Sequence, residues 1–441
     1  MAVSILKRKK LYIPVMVKFW ISIAISSLWV IFSIIVARPW LYNLSEFIGF
    51  IPALLIITFV AFAPGFLVAF VSVSLLLDRQ PKLRNKNPND PITILIAARN
   101  EEERIEETLK YIKKQNYRGK INVILVDNNS TDKTIEVARI AAKNLNLDIS
   151  ILEEKKKGKS NALNKGLKHI KTPLFITLDA DTLLHGDAIK NIVTRIKNSR
   201  EDVCAVAGHV LVRNSRKNLL SKLQEWDYFL GITSIKKIQA LYQGTLVAQG
   251  AFSLYKTEVV REVGGWPNAI GEDIVLTWNF FKNGYKVYFE PLAAAFTDVP
   301  QKLKQFVKQR SRWARGLFEG LRSAPPWKQP FYLISYLTAI DILIPIIDTV
   351  FTFVWIPGVI LALFGKFYIA GPYTLLVIPL NFVFSIIMYY QQKETFRILN
   401  LTIRRNKIGY FMFLLFYQII HSPISVLGYF QEIFKSKRVW K

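Results

Sequence analysis

Two long uncharged runs near the N-terminus constrain this chain more than any other feature. Residues 19–37 hold no charged side chain and are bracketed by Lys18 and Arg38. A helix of that length crosses a hydrocarbon core of roughly 30 Å. Residues 47–77 form a second such run, closed by Asp78. The first run is longer than the ~7–15 apolar residues usual in a secretory signal peptide, so an uncleaved anchor is expected. Lys7, Arg8, Lys9 and Lys10 precede it, and positive charge is retained on the cytoplasmic side. Two crossings then return the chain to the cytoplasm at Asp78. Membrane association also accounts for a pairing that soluble enzymes rarely show: 51% hydrophobic residues with a net charge of +27 over 441 residues.

After Pro330 the composition turns apolar again, in stretches at 331–365, 372–391 and 408–430. Pro345 and Pro357 are able to break the first into an interfacial piece and a span, so three or four C-terminal crossings are open. The loop 393–407 and the tail 435–441 are both basic, although one crossing between them would put them on opposite faces. Asp341 and Asp348 stand seven apart on one helical face, where buried acids are expensive and face a cavity or a partner helix. Channel lining is the favoured role. The chain therefore divides into 1–77, a basic segment with two transmembrane helices; 78–300, a cytoplasmic domain; 301–330, an amphipathic interface helix; and 331–441, the C-terminal membrane region.

The polar middle reads as alternating strands and helices. Residues 92–98 are continuously apolar and precede the acidic stretch 101–107, where a helix is expected from near Asn100. Residues 121–126 repeat the pattern and run into Asp127; residues 174–178 run into Asp179-Ala180-Asp181. Such alternation predicts a mostly parallel α/β sheet whose ligands bind beyond the carboxyl ends of the strands. The single Cys204 excludes an internal disulfide and is expected in the core, and four dispersed histidines argue against zinc.

The polar clusters suit one chemistry. Asp179 and Asp181, two apart, project to one face if the strand continues, and their hard oxygens suit Mg²⁺ or Mn²⁺. Glu272-Asp273 follows the turn-rich Gly264-Gly265-Trp266-Pro267 and offers a general base at a helix start. Residues 302–321 are basic and amphipathic, with Phe306, Trp313, Leu317 and Phe318 among Lys304, Lys308, Arg310, Arg312 and Arg315, a helix expected along the membrane face.

In their order, Asp127, Asp179/Asp181, Gly271-Glu272-Asp273 and Gln309-Arg310-Ser311-Arg312-Trp313 resemble the motifs of the processive family 2 glycosyltransferases, the poly-N-acetylglucosamine, hyaluronan, chitin and cellulose synthases. The resemblance implies a GT-A domain inserted between N- and C-terminal transmembrane helices. It places Glu101, Asp127, Lys159, Asp179 and Arg312 on the nucleotide-sugar, and Asp179 with Asp181 on the metal. Asp273 becomes the catalytic base, with Gln309, Trp313 and Glu272 at the acceptor; Asn164 is carried over with Lys159. Asn128 stands where the family often has a second aspartate, and Ala97 where it has a proline. The implied enzyme is a multi-pass plasma-membrane hexosyltransferase with its catalytic domain in the cytoplasm. It moves sugar from a UDP-sugar, UDP-GlcNAc or UDP-Glc, to a growing β-linked polysaccharide by an inverting displacement. Its expected partners are the donor, the acceptor, membrane lipids and an accessory membrane subunit, with no nucleic acid. A single addition to a lipid acceptor is the alternative; a non-catalytic transporter or binding protein ranks below both.

Overall fold

The computed structural model describes residues 13–79, 83 and 87–436. The basic cluster Lys7, Arg8, Lys9 and Lys10 and the tail residue Trp440 lie outside the described residues. Eight strands form one mixed sheet: β1 (Ile92–Ala98), β2 (Ile121–Asp127), β3 (Ile149–Glu153), β4 (Leu174–Asp179), β5 (Leu183–Leu184), β6 (Val203–Val212), β7 (Phe252–Lys256) and β8 (Lys286–Thr297). Their spatial order is β3-β2-β1-β4-β7-β6-β8-β5. The half β3-β2-β1-β4 is parallel, as the continuous apolar runs require of strands covered on both faces. β7 enters antiparallel to both β4 and β6, so the sheet is mixed rather than doubly wound throughout.

The register fixes the functional edge. Ala98 lies beside Asp127 and Ala97 beside Asp179, so both aspartates end neighbouring strands at the same edge. Helices Ile105–Lys113, Thr134–Leu145 and Ala188–Lys197 bury their apolar faces in the core on one side, with Cys204 fully buried in the core of the other. The first of these begins at Ile105, not near Asn100. Asn100 adopts φ +54° and accepts a hydrogen bond from Thr131 N at 2.8 Å, so its side chain joins two loops instead of opening a helix.

The second core layer runs into the membrane region. Phe19 of helix Val15–Val36 packs edge-on against Phe70, Tyr242 and Tyr336, and Phe19 and Phe70 are each 1% exposed. Burying such a ring contributes about 1.5–3 kcal/mol. The Ser74 hydroxyl lies 2.8 Å from that of Tyr242, so a membrane helix and the sheet domain share both apolar and polar contacts.

Among the described residues five helices are long and apolar enough to cross a membrane: Val15–Val36, Phe50–Leu77, Tyr332–Leu363, Pro372–Ile398 and Lys407–Ile433. The stretch with Pro345 and Pro357 is one helix, relaxed by a π turn at Phe351–Trp355, rather than an interfacial piece and a span. Lys407–Ile433 starts on the sheet domain and ends on the helix Leu303–Ser323. At its start the Trp226 indole donates to Asn406 O at 2.9 Å and Asn406 donates to Glu225 at 2.6 Å. At its end Glu432, 2% exposed, pairs with Arg315 at 3.2 Å and Arg322 at 3.0 Å, while Arg315 donates to Ser436 O at 2.9 Å. Asp348 accepts hydrogen bonds from Ser422, Gln418 and Tyr429 of this helix at 2.6, 3.2 and 2.8 Å. Three partners make it a helix-to-helix joint, in place of the channel lining expected.

Candidate active site

Asp127 ends β2 at 4% exposure; one carboxylate oxygen accepts from Ser130 N at 3.0 Å, and the other, Oδ1, is buried without a hydrogen-bond partner. A buried carboxylate oxygen left so is costly, which marks it as an acceptor for a ligand donor group. Asn128 has a structural task. It donates to Glu154 O and Lys156 O and accepts from Gly158 N at 2.8 Å, folding the loop that ends in Lys159. Asn164 likewise bonds Trp266 through N and O at 2.7 and 2.9 Å, bracing the site from behind rather than entering it.

Lys159 opens helix Lys159–His169 and reaches the strand edge, with Nζ 2.6 Å from Asp179 Oδ1 and 3.9 Å from Glu272 Oε1. Burial disfavours its ammonium, but Asp179 and Glu272 outweigh that and hold its pKa above the usual lysine range. A Cβ on Gly250 would stand 2.7 Å from that ammonium, and Gly250 N donates to Asp273 Oδ2 at 3.3 Å. The loop before β7 thus lies between the lysine and the base.

Glu272 and Asp273 open helix Glu272–Lys282, where the positive end of the helix dipole favours them. Asp273 Oδ1 accepts from Ile274 N at 2.9 Å. Burial pushes the Glu272 carboxyl well above its ordinary range, with Asp273 adding to the rise and Lys159 and Arg312 opposing it.

The strand stops at Asp179. Ala180 and Asp181 form a turn closed by Thr182 N donating to Asp179 O at 3.1 Å, so strand alternation is not what sets the two carboxylates. Asp181 lies 3.6 Å from Arg104, which also stands 3.7 Å from Glu101. Among the described residues no three His, Cys, Asp or Glu side chains form a metal cluster. Two aspartates fit a Mg²⁺ or Mn²⁺ ion that takes its remaining ligands from a diphosphate and water, the usual mode for these cations.

The interface helix is Leu303–Ser323. Arg310, 2% exposed, pairs with Asp227 at 2.8 Å and lies 4.1 Å from the centre of the Trp313 ring, which it supports from beneath. Tyr228 stands 6.4 Å from Trp313. Gln309 Oε1 is buried without a hydrogen-bond partner. Arg312 faces Glu272 electrostatically, so the basic helix and the acidic helix start meet over the strand edge. The expected residues thus fall into neighbouring groups: Lys159 with Asp179 and Glu272, Asp181 and Glu101 on Arg104, and Trp313 on Arg310. Sequence reading missed Arg104, Asp227 and Gly250, and named Arg310 within the motif without a role for it.

Residues 88–316 match the family described as glycosyltransferase like family 2, just over half of the chain. A poly-beta-1,6-N-acetyl-D-glucosamine synthase of Staphylococcus aureus (strain COL) is 33% identical over 273 residues, 60% of this chain and 65% of that protein. The synthase of the same name from a Staphylococcus epidermidis strain is 33% identical over 231 residues, 52% of this chain and 55% of that one. Among solved structures, a mannosyltransferase from Pyrobaculum calidifontis in complex with GDP-Man and Mn²⁺ superimposes with a TM-score of 0.61 at 20% identity, covering 87% of this chain and 99% of that one. At that identity the likeness speaks for the fold, a GT-A-like mixed sheet between helices apolar enough to span a membrane. With the strand-end aspartates, the helix-start acids and the basic helix all inside or bordering the matched segment, the chain belongs to glycosyltransferase family 2.

Proposed function

We propose that this protein is a membrane-embedded inverting glycosyltransferase that extends a β-linked polysaccharide from a UDP-sugar, with UDP-GlcNAc the first donor to try. The observation that carries the reading is the convergence of Lys159, Asp179, Glu272 and Asp273, joined by ion pairs and through the Gly250 loop, with Arg312 acting electrostatically on Glu272. Asp127 receives the nucleoside through its unpaired Oδ1, with Glu101 beside Arg104 at the same edge. Asp179 and Asp181 would hold Mg²⁺ or Mn²⁺, which when bound neutralises charge on the leaving diphosphate. Lys159 and Arg312 supply fixed positive charge to the phosphates. Asp273, oriented by two backbone amides, takes the proton from the acceptor hydroxyl as that oxygen displaces UDP. Trp313, propped by Arg310, offers a flat face to the acceptor sugar, and Gln309 and Glu272 are proposed to complete that subsite.

The proposed catalytic domain faces the cytoplasm; three C-terminal helices are apolar enough to cross, within the three or four expected, and on this reading the last of them lies along the membrane face instead, leaving four crossings. Helix Lys407–Ile433 is about 40 Å long at 1.5 Å per residue. A crossing would carry its ends to opposite faces, yet Asn406 binds Glu225 of the catalytic domain and Glu432 binds Arg315 of the interface helix, both on the side proposed as cytoplasmic. Lying along that face, it puts the basic loop 393–407 and Lys435 on one side, as the positive-inside rule favours. A Ser436→Cys variant in sealed, inside-out vesicles should react with an impermeant thiol reagent; protection there, with reaction in right-side-out vesicles, would restore the fifth crossing.

Purified protein given a panel of UDP-sugars with Mn²⁺ or Mg²⁺ should yield a labelled product that grows with time. Only one-sugar lipid products would replace the polymerase reading with the lipid-acceptor one.

A further inference from the structure

The interface helix and the catalytic helix touch at the backbone. A Cβ on Gly271 would stand 2.4 Å from Gly316 Cα, and one on Gly316 would stand 2.9 Å from Gly271 Cα. One turn further, a Cβ on Gly320 would stand 2.9 Å from Ile274 Cγ2. Only glycines permit this approach. Between those two contacts Glu319, 8% exposed, accepts hydrogen bonds through Oε2 from Ile270 N at 2.7 Å and Gly271 N at 2.9 Å.

These amides are the last before the helix that opens with Glu272-Asp273, where backbone donors have no intrahelical partner. A buried carboxylate accepting two of them is a strong, directional contact, and its charge suits the positive end of the helix dipole. Arg312, Gly316, Glu319 and Gly320 are spaced at three, four and seven or eight residues, so they share one face of the interface helix with the motif at Gln309 and Trp313.

We propose that Glu319 is a positioning residue, a clamp supplied by the interface helix that fixes the start of the catalytic helix. It keeps Asp273 in register with the sugar platform at Trp313. The clamp rests on the proposed roles of Asp273 and Trp313. Apart from Arg312, the proposed donor site stands on β1, β2, β4 and the Lys159 loop, so loss of the clamp leaves most of it intact. A displacement of about 1 Å between base and acceptor is enough to cost ~10²-fold in rate.

Three variants test this in the full-length protein in detergent: Glu319→Ala, Glu319→Gln and Gly316→Ala. The measurements are total sugar transferred from the UDP-sugar the parent uses, affinity for UDP with Mn²⁺ by calorimetry, and the thermal midpoint. Glu319→Ala is expected to lower kcat by about 10²-fold while UDP affinity stays within a few-fold of the parent. Glu319→Gln keeps a carbonyl oxygen able to accept both amides and should return most of that rate. Gly316→Ala, whose new Cβ meets Gly271 and Ile274, should lose rate as Glu319→Ala does. Parental turnover in Glu319→Ala overturns the clamp. So does an equal loss in Glu319→Gln, or a parallel fall of UDP affinity and thermal midpoint, which is what a merely structural residue would give. A parent that transfers no sugar from any UDP-sugar overturns the assigned function and the clamp together, whereas a transferring parent matched by its variants overturns the clamp alone.

Discussion

Lys159 Nζ and Asp179 Oδ1 are 2.6 Å apart at the carboxyl edge of the sheet, so the cation offered to the phosphates and a carboxylate offered to the metal are held as an ion pair. A metal–diphosphate ligand suits both members at once: the carboxylate turns to the metal and the ammonium to the phosphate. Lys159→Met removes the phosphate contact and leaves Asp179, Glu272 and Asp273 with less compensation. A hydrogen bond to a charged group is worth about 1.5–3 kcal/mol. UDP affinity in the presence of Mn²⁺ should therefore fall by roughly ten- to a hundredfold. Unchanged affinity by calorimetry would remove Lys159 from the donor site.

Asp273→Asn should separate binding from chemistry. The amide keeps its one oxygen for Ile274 N, gives up the longer contact from Gly250 N to the other carboxylate oxygen, and takes no proton. Transfer is expected to fall by about 10²–10⁴-fold or more, with UDP affinity nearly that of the parent. Turnover within a few-fold of the parent would show that another group is the base.

Asp181→Ala should lower both. Loss of a metal ligand weakens the hold on the donor diphosphate as well as the chemical step. UDP titrations with and without Mn²⁺ distinguish the cases: the parent should gain affinity with the ion and the variant should not. Equal, metal-independent binding in both proteins would contradict the metal assignment.

The half of the sheet that was legible in the sequence is the parallel half. β1, β2 and β4 are buried on both faces and so appear as unbroken apolar runs ending in polar residues. The site residues at those strand ends followed from that. β8 was obscured because Glu290 and Pro291 interrupt it, and its register against β6 jumps from Gly208/Glu290 to His209/Ala294. Glu319 carried no local signal; its importance comes from the loop at Ile270 and Gly271, nearly fifty residues away in the chain. The run of Lys407–Ile433 shows apolar length but not direction. What its two ends bind, Glu225 and Arg315, became visible only in the folded chain.

His209 gives a pH dependence that does not depend on catalysis. It is 1% exposed, with Nδ1 donating to Pro291 O at 3.0 Å and Nε2 lying 3.1 Å from the Thr233 hydroxyl. Burial lowers its pKa from 6.5 to about 4, opposed by the Pro291 carbonyl and aided by Lys237 and Lys236. Below pH 6.5 the unfolded chain takes up a proton that the folded domain refuses. The stabilisation by the neutral ring is therefore complete above 6.5 and erodes as pH falls toward 4, by up to about 3 kcal/mol. Thermal midpoints in detergent at pH 7.5 and pH 5 should differ more for the parent than for His209→Gln. Equal differences would mean that the ring is protonated in the folded domain.

The role proposed for Trp313 is to hold the product after each transfer. Its indole rests on Arg310 at 4.1 Å, with Tyr228 beside it. Trp313→Ala removes the aromatic contact with the acceptor, worth roughly 0.5–1.5 kcal/mol beyond area burial, and leaves Lys159 and Asp179 in place. The variant should keep UDP affinity and release its product early, so that sugar turnover persists while product length falls. Trp313→Phe, which retains a flat ring above Arg310, should make chains of intermediate length. The measurement is product size against time for all three proteins. Chains of parental length from Trp313→Ala would show that the terminus is held elsewhere, and a parent whose product never grows past one sugar would show that there is no chain to hold.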